Sequence, residues 1–208
     1  MKQHETRQYD IRNAAAFKKT TEQWGGLSNM AAGYPVVVND VVIKTVESLY
    51  QACRFPHLPE VQEKIISQES PMTAKMVGKP FKNQSRDDWL AVRILIMKWC
   101  LRVKLAQNWD KFSSLLISTS DMDIIEISNR DDFWGAKPTE PNICVGINAL
   151  GRLLMELRGQ VLHNSKERFM VVPPLAIKHF KLYNQDIVAV DSLHAKKITT
   201  PQINMFET

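Results

Sequence analysis

With 208 residues, 44% of them hydrophobic, the chain is long enough for one domain with its own core. No apolar run reaches the roughly 18 residues that a membrane span needs, and Met1 to Arg7 has no secretory apolar stretch, so a soluble cytoplasmic protein without a membrane partner is expected. A formal charge of +5 favours anionic partners, nucleic acid or a phosphorylated ligand.

Three cysteines, Cys53, Cys100 and Cys144, are widely spaced, odd in number and set among apolar neighbours, which predicts buried thiols and no disulfide framework. The histidines, His4, His57, His163, His179 and His194, lack metal-ligand spacing. Neither a metal nor a cofactor is implied.

In chain order, residues 1–23 form a polar lead without a motif, with a short helical turn expected at Ala14 to Phe17. Trp24-Gly-Gly-Leu-Ser-Asn29 opens the ordered part. Its paired glycines either let backbone N–H groups approach a phosphate or sugar or simply make a turn. Tyr34 to Val38 and Val41 to Ile43 flank Asn39-Asp40 and predict a hairpin.

Thr45 can cap a helix whose apolar stripe is Val46, Leu49, Tyr50 and Cys53, with Glu47, Gln51 and Arg54 beside it. The helix dipole favours the charged form of Glu47, which is either a proton acceptor at a site or a helix-start glutamate serving the dipole. Short helices follow at 60–68 and from Ser70-Pro71 to Gly78, then a basic loop at 79–84.

The longest helix is expected from a Ser85 cap to about Trp109, with Asp87 and Asp88 in its first turn. Trp89, Val92, Ile96, Trp99 and Val103 make one stripe; Leu90, Ile94, Met97, Leu101 and Leu105 make another. Hydrophobicity on two sides marks a central, buried helix. Arg93 and Lys104 project together between the stripes. A lysine so placed snorkels, pairs with an acid, or carries a lowered pKa and a nucleophilic amine.

A helix at 110–118 and a strand at 123–127 lead into Asp131-Asp-Phe-Trp-Gly135, a polar loop of the kind that carries ligand-binding residues. A proline-containing link then reaches a helix with Ile147, Leu150, Leu154 and Leu157 on one face, stopped by Gly159. Asn148 stands at its N-terminus, where it can bind a ribose hydroxyl or phosphate, or act as a cap. Beyond Gly159 come two short strands, at 168–174 and 186–190, a basic run of Lys166, Arg168, Lys178, Lys181, Lys196 and Lys197, and a loose tail from Thr199. The organisation expected is a lead segment at 1–23, a core at 24–159 and an extension at 160–208. The fold class is α+β, predominantly helical, with small β elements around the long helix.

Gly26-Leu-Ser-Asn29, Thr45-Val-Glu47-Ser-Leu-Tyr50-Gln51-Ala52, Arg86-Asp-Asp-Trp89, Lys104 with Gln107-Asn108, Asp131-Asp132-Phe-Trp134-Gly135 and Gly146-x-Asn148-x-Leu-Gly151 through Arg158 stand in a fixed order. In that order and spacing the chain resembles the NADAR family from about Trp24 to Arg158. The resemblance implies cleavage of a ribose C1 to exocyclic nitrogen bond. The substrate it points to first is ADP-ribose on guanine in DNA or RNA, which pairs such a protein with an ADP-ribosyltransferase toxin. The alternatives are a ribosylaminopyrimidine intermediate of riboflavin synthesis, or a non-catalytic NAD or ADP-ribose module with Glu47 and Lys104 as a buried pair.

Under the same resemblance Lys104 would form a Schiff base with the ring-opened sugar, Glu47 would move protons, and Asp132 would orient the sugar or share that work. A carboxylate activating water is the rival route. Trp89 and Trp134 would stack on base or ribose, and Asn29, Arg93, Gly135, Asn148 and Arg158 would contact the ligand. Ser48, Arg54 and Ala136 depart from the family's usual histidine, lysine and glycine, and bear on the substrate.

Overall fold

A computed structural model describes residues 5–199 of the chain. In chain order the elements are β1 (Arg7–Asp10), β2 (Ala14–Phe17), β3 (Val36–Val38), β4 (Val41–Ile43), α1 (Val46–Ala52), α2 (Pro59–Ile66), α3 (Pro71–Gly78), α4 (Trp89–Gln107) and α5 (Trp109–Ser118). There follow β5 (Asp123–Glu126), β6 (Lys137–Glu140), β7 (Ile143–Gly146), α6 (Ala149–His163), β8 (Val171–Val172), β9 (Lys181–Leu182), β10 (Gln185–Asp186), β11 (Val190–Asp191) and α7 (Ser192–Thr199). The fold is a mixed one, mostly helical, with several small sheets. No described helix is long and apolar enough to cross a membrane.

Local signals act where they were expected. Thr45 Oγ1 accepts from the Ser48 N–H and starts α1, and Ser70 does the same for α3 ahead of Pro71. Asn39 and Asp40 take φ of 49° and 64°, the two left-handed positions of a tight hairpin turn between β3 and β4. Along α4, Val92, Ile96, Trp99, Val103, Met97, Leu101 and Leu105 are buried, so the helix is central. Its second stripe is incomplete, because Leu90 is 75% exposed.

Several expectations are corrected. Ala14 to Phe17 is a strand, β2, which runs parallel to β5 from Ala14 opposite Asp123 to Phe17 opposite Glu126. Ala15 and Phe17 are buried in the core, so the lead segment belongs to it. A four-residue run whose partner lies far along the chain has no local signature to read. The link before α6 is a second hairpin, β6 and β7, with β7 also antiparallel to β1.

The long helix begins at Trp89, not at Ser85, whose hydroxyl accepts from Arg54 Nε. Gly159 does not stop α6: no atom lies within 4 Å of where its Cβ would be, and the helix runs through it to His163. Glycine in an exposed helix interior costs only about 1 kcal/mol, too little to end a well-packed helix.

The extension lies along α4. Trp99 Nε1 donates to the Pro173 carbonyl, and the Phe180 ring meets Trp99 edge-on at 4.9 Å. Gln62 donates to the Lys181 carbonyl and accepts from the Tyr183 N–H. The two strands expected here are reduced to the short pairs β8 with β11 and β9 with β10. His4 and the tail beyond Thr199 lie outside the described residues.

Candidate active site

Three acids from separate parts of the chain face one another. Glu47 is buried in the first turn of α1, and its N–H donates to the Asn29 carbonyl, which docks the 25–29 turn against the helix start. Gln51, one turn on, donates to Glu47 Oε1 at 2.8 Å. Burial pushes the Glu47 carboxyl up; Lys75 and the Gln51 hydrogen bond oppose this and Asp131 adds to it. The helix dipole had favoured the charged form, and loss of solvent outweighs it.

Glu126, at the end of β5, is pushed up to about 7, first by burial and then by the charges of Glu47 and Asp131. Asp131 is fixed by its own loop, its Oδ1 accepting from the N–H groups of Phe133 and Trp134 at 2.9 Å each. The cation these acids feel is Lys75, exposed on α3.

An aromatic wall stands beside the acids. The Tyr50 ring lies 5.2 Å from Trp89 and 5.6 Å from Trp134, and Trp134 lies 5.0 Å from Phe133. Arg93, one turn after Trp89 on α4, holds its Cζ 3.6 Å above the Phe133 ring. Asn29 is buried with its amide nitrogen on Met97 Sδ, and its Oδ1 has no hydrogen-bond partner. A buried acceptor left open in this way suits a ligand hydroxyl.

Glu47, Asn29, Trp89, Arg93 and Trp134 are therefore brought together, while five other residues named from the sequence are not. Lys104 is wholly buried, its Nζ donating to the carbonyls of Gly26 and Ser28 at 2.7 and 2.9 Å, between the rings of Tyr34 and Phe112. Burial pushes this amine well below the ordinary lysine range, with Lys111 adding to the effect. Two of its donors hold the 25–28 turn in place, and no hydrogen bond or ion pair joins it to Glu47. The nucleophile role expected of Lys104 would need the 25–28 turn to open, because the amine is fully buried beneath it.

Asp132 points outward and pairs with exposed Lys137 at 2.7 Å; its neighbour Asp131 is the acid that faces inward. Asn148, at φ 52°, neither contacts the wall nor caps α6 with its side chain. It accepts from the Glu126 N–H and donates to the Ile124 carbonyl, clamping α6 to β5. Arg158 donates to Thr119 Oγ1 and the Met122 carbonyl and so ties α6 to the α5–β5 turn.

Gly135 acts through its missing side chain: a Cβ there would stand 2.4 Å from the Glu126 carbonyl, and Ala136 N–H donates to that same oxygen. The glycine thus lets the Asp131 loop lie against β5. Glu126 was not singled out from the sequence. The available signal was an acid on the same strand face as buried Ile124, directly ahead of the Asp131 loop.

Among the described residues no three His, Cys, Asp or Glu side chains are grouped to hold a metal ion. The arrangement offers two carboxyls raised by burial, a third acid, an aromatic wall and the Arg93 guanidinium at its edge. That set can donate a proton to a leaving nitrogen and accept one from water.

The NADAR domain profile matches residues 16–162, from β2 almost to the end of α6. N-glycosidase YbiA of Escherichia coli is 32% identical over 145 residues, which cover 70% of this chain and 86% of that protein. The chloroplastic riboflavin biosynthesis protein PYRR of Zea mays is 31% identical over 164 residues, 72% of this chain and 25% of that protein. The NMR structure of E. coli YbiA is similar at a TM-score of 0.62 and 30% identity, covering 76% of this chain and 90% of that one. With the profile matched across most of its length, the chain belongs to the NADAR domain family.

Proposed function

We propose that this protein, an N-glycosidase, removes ADP-ribose from guanine in nucleic acid by cutting the bond between ribose C1 and the exocyclic nitrogen. The observation that carries the chemistry is the Glu47 and Glu126 pair, two neighbouring carboxyls whose pKa values burial raises. Glu47 gives its proton to the leaving nitrogen as the C1–N bond breaks. Glu126, ionised, takes a proton from the water that adds to the oxocarbenium-like C1. The products are free ADP-ribose and the restored guanine amine.

The polymer is suggested by the surroundings. Lys75, Lys79 and Lys82 are exposed along α3 and the turn after it, next to α1, and the chain carries +5 overall. The wall of Trp89, Tyr50, Trp134 and Phe133 suits stacking on a base taken out of its duplex. A DNA ADP-ribosyltransferase, such as a toxin, would make the substrate.

A second reading rests on the likeness to proteins named for riboflavin biosynthesis, including PYRR and a Vibrio vulnificus protein 29% identical over 160 residues. In it the same carboxyls hydrolyse a ribosylaminopyrimidine phosphate. The deciding experiment incubates the pure protein with guanine-ADP-ribosylated DNA and, in parallel, with the pyrimidine riboside phosphate, and follows base release. Release from DNA is expected, and turnover of the pyrimidine alone would overturn the first reading.

A further inference from the structure

Arg54 and Arg93 come from different elements and meet at the edge of the aromatic wall. Arg54 follows α1, with its Nε on Ser85 Oγ at 2.6 Å and its Cζ 5.1 Å from the Trp89 ring. Arg93 rises from α4 one turn beyond Trp89 and lies over Phe133. The contacts form a row running from Arg54 through Trp89, Tyr50, Trp134 and Phe133 to Arg93.

Two like charges stand at the ends of this row. Burial and the nearby Arg93 charge push Arg54 down, and both guanidiniums act on the buried Tyr50 phenol. Among the described residues neither arginine has a carboxylate within salt-bridge distance, and Arg93 Nε is buried without a hydrogen-bond partner. By contrast, Arg86 holds Asp88 and the Lys178 carbonyl, and Lys104 holds two carbonyls. Partly desolvated guanidiniums set side by side without a counter-ion are unfavourable until an anion joins them, and their forked donors fit phosphoryl oxygens.

We propose that Arg54 and Arg93 form the binding site for the phosphoryl group on C5 of the substrate's ribose. Glu47 stands in the first turn of α1 and Arg54 just past its end, with Tyr50 between them on the helix. One sugar spans that interval, with C1 at the acids and the phosphate at the arginines. The proposal rests on the N-glycosidase reading for the orientation of the sugar, but not for the binding of phosphate.

The test is equilibrium binding of ribose 5-phosphate, ADP-ribose and plain ribose to the full chain by calorimetry, for wild type, Arg54→Gln, Arg93→Gln and Arg54→Lys, each checked for an unchanged melting temperature. Tenfold or greater loss of affinity for both phosphorylated ligands in each glutamine variant, no change for ribose, and partial recovery in Arg54→Lys are expected. Equal affinities across the variants would overturn the proposal, as would failure of wild type to prefer ribose 5-phosphate over ribose. A preference for ADP-ribose places a pyrophosphate on the pair, and equal affinities of the two phosphorylated ligands place a single phosphate there; either outcome supports the site. If phosphate binding behaves as expected while neither substrate is cleaved, the catalytic reading fails and this one stands.

Discussion

The two halves of α4 carry the same kind of residue to opposite ends. In the first half Arg93 stands partly buried over Phe133 with an open donor and no carboxylate partner; in the second, Lys104 is sealed, with two backbone carbonyls on its amine. Both are cations between apolar stripes of one helix, and helical phase alone assigns them to the same face. The difference is in who satisfies them. A buried amine bonded to the chain's own carbonyls serves the fold, whereas a guanidinium left with an open donor at the edge of the aromatic wall is available to a ligand.

The contrast can be tested from its strongest side first. Glu47→Gln keeps the size and the Gln51 neighbour but cannot give up a proton, so turnover should fall about 10²- to 10⁴-fold in a protein that still melts normally. A rate near wild type would remove Glu47 from the chemistry and with it the site half of the comparison.

Lys104→Met should show the reverse pattern. It leaves the Gly26 and Ser28 carbonyls buried without a donor and costs about 2–5 kcal/mol of stability, while turnover measured well below the melting transition is kept. Borohydride reduction during turnover should leave Lys104 unmodified. A sugar adduct on Lys104 would merge the two halves and restore the covalent route.

The pH profile sharpens the site half. A carboxyl pushed up to about 7 is protonated below that pH and ionised above it, so with Glu126 as base the rate should rise as pH climbs through about 7. Glu126→Gln should flatten that limb, and an unchanged limb would assign it to another group. The smallest effect belongs to Asp132→Asn. Its exposed pair with Lys137 lies outside the acid cluster, so rate and melting temperature should both stay close to wild type, and a large loss of rate would return Asp132 to the site.

Much of this was legible because the signals are local. Thr45 and Ser70 as caps, Asn39-Asp40 as a turn and the dense apolar pattern of α4 each act within a few residues, and the ordered motifs from Gly26 to Arg158 point to the family. Glu47 was legible for the same reason, as an acid in the first turn of a capped helix. The strand at Ala14 to Phe17 was not, because four small or apolar residues become a strand only against β5, which arrives more than a hundred positions later.

The sequence by itself determined the helices, the hairpin turn, the family and the presence of an acid on α1. Only the tertiary structure decided which charges meet. It turned Asp131 inward and Asp132 outward, set Glu126 beside Glu47, closed the 25–28 turn over Lys104, and used Asn148 as a clamp on β5. Periodicity states the direction in which a side chain leaves its own helix or strand. Its depth, its pKa and its hydrogen-bond partners depend on what packs over it, and here those covering groups come from distant parts of the chain.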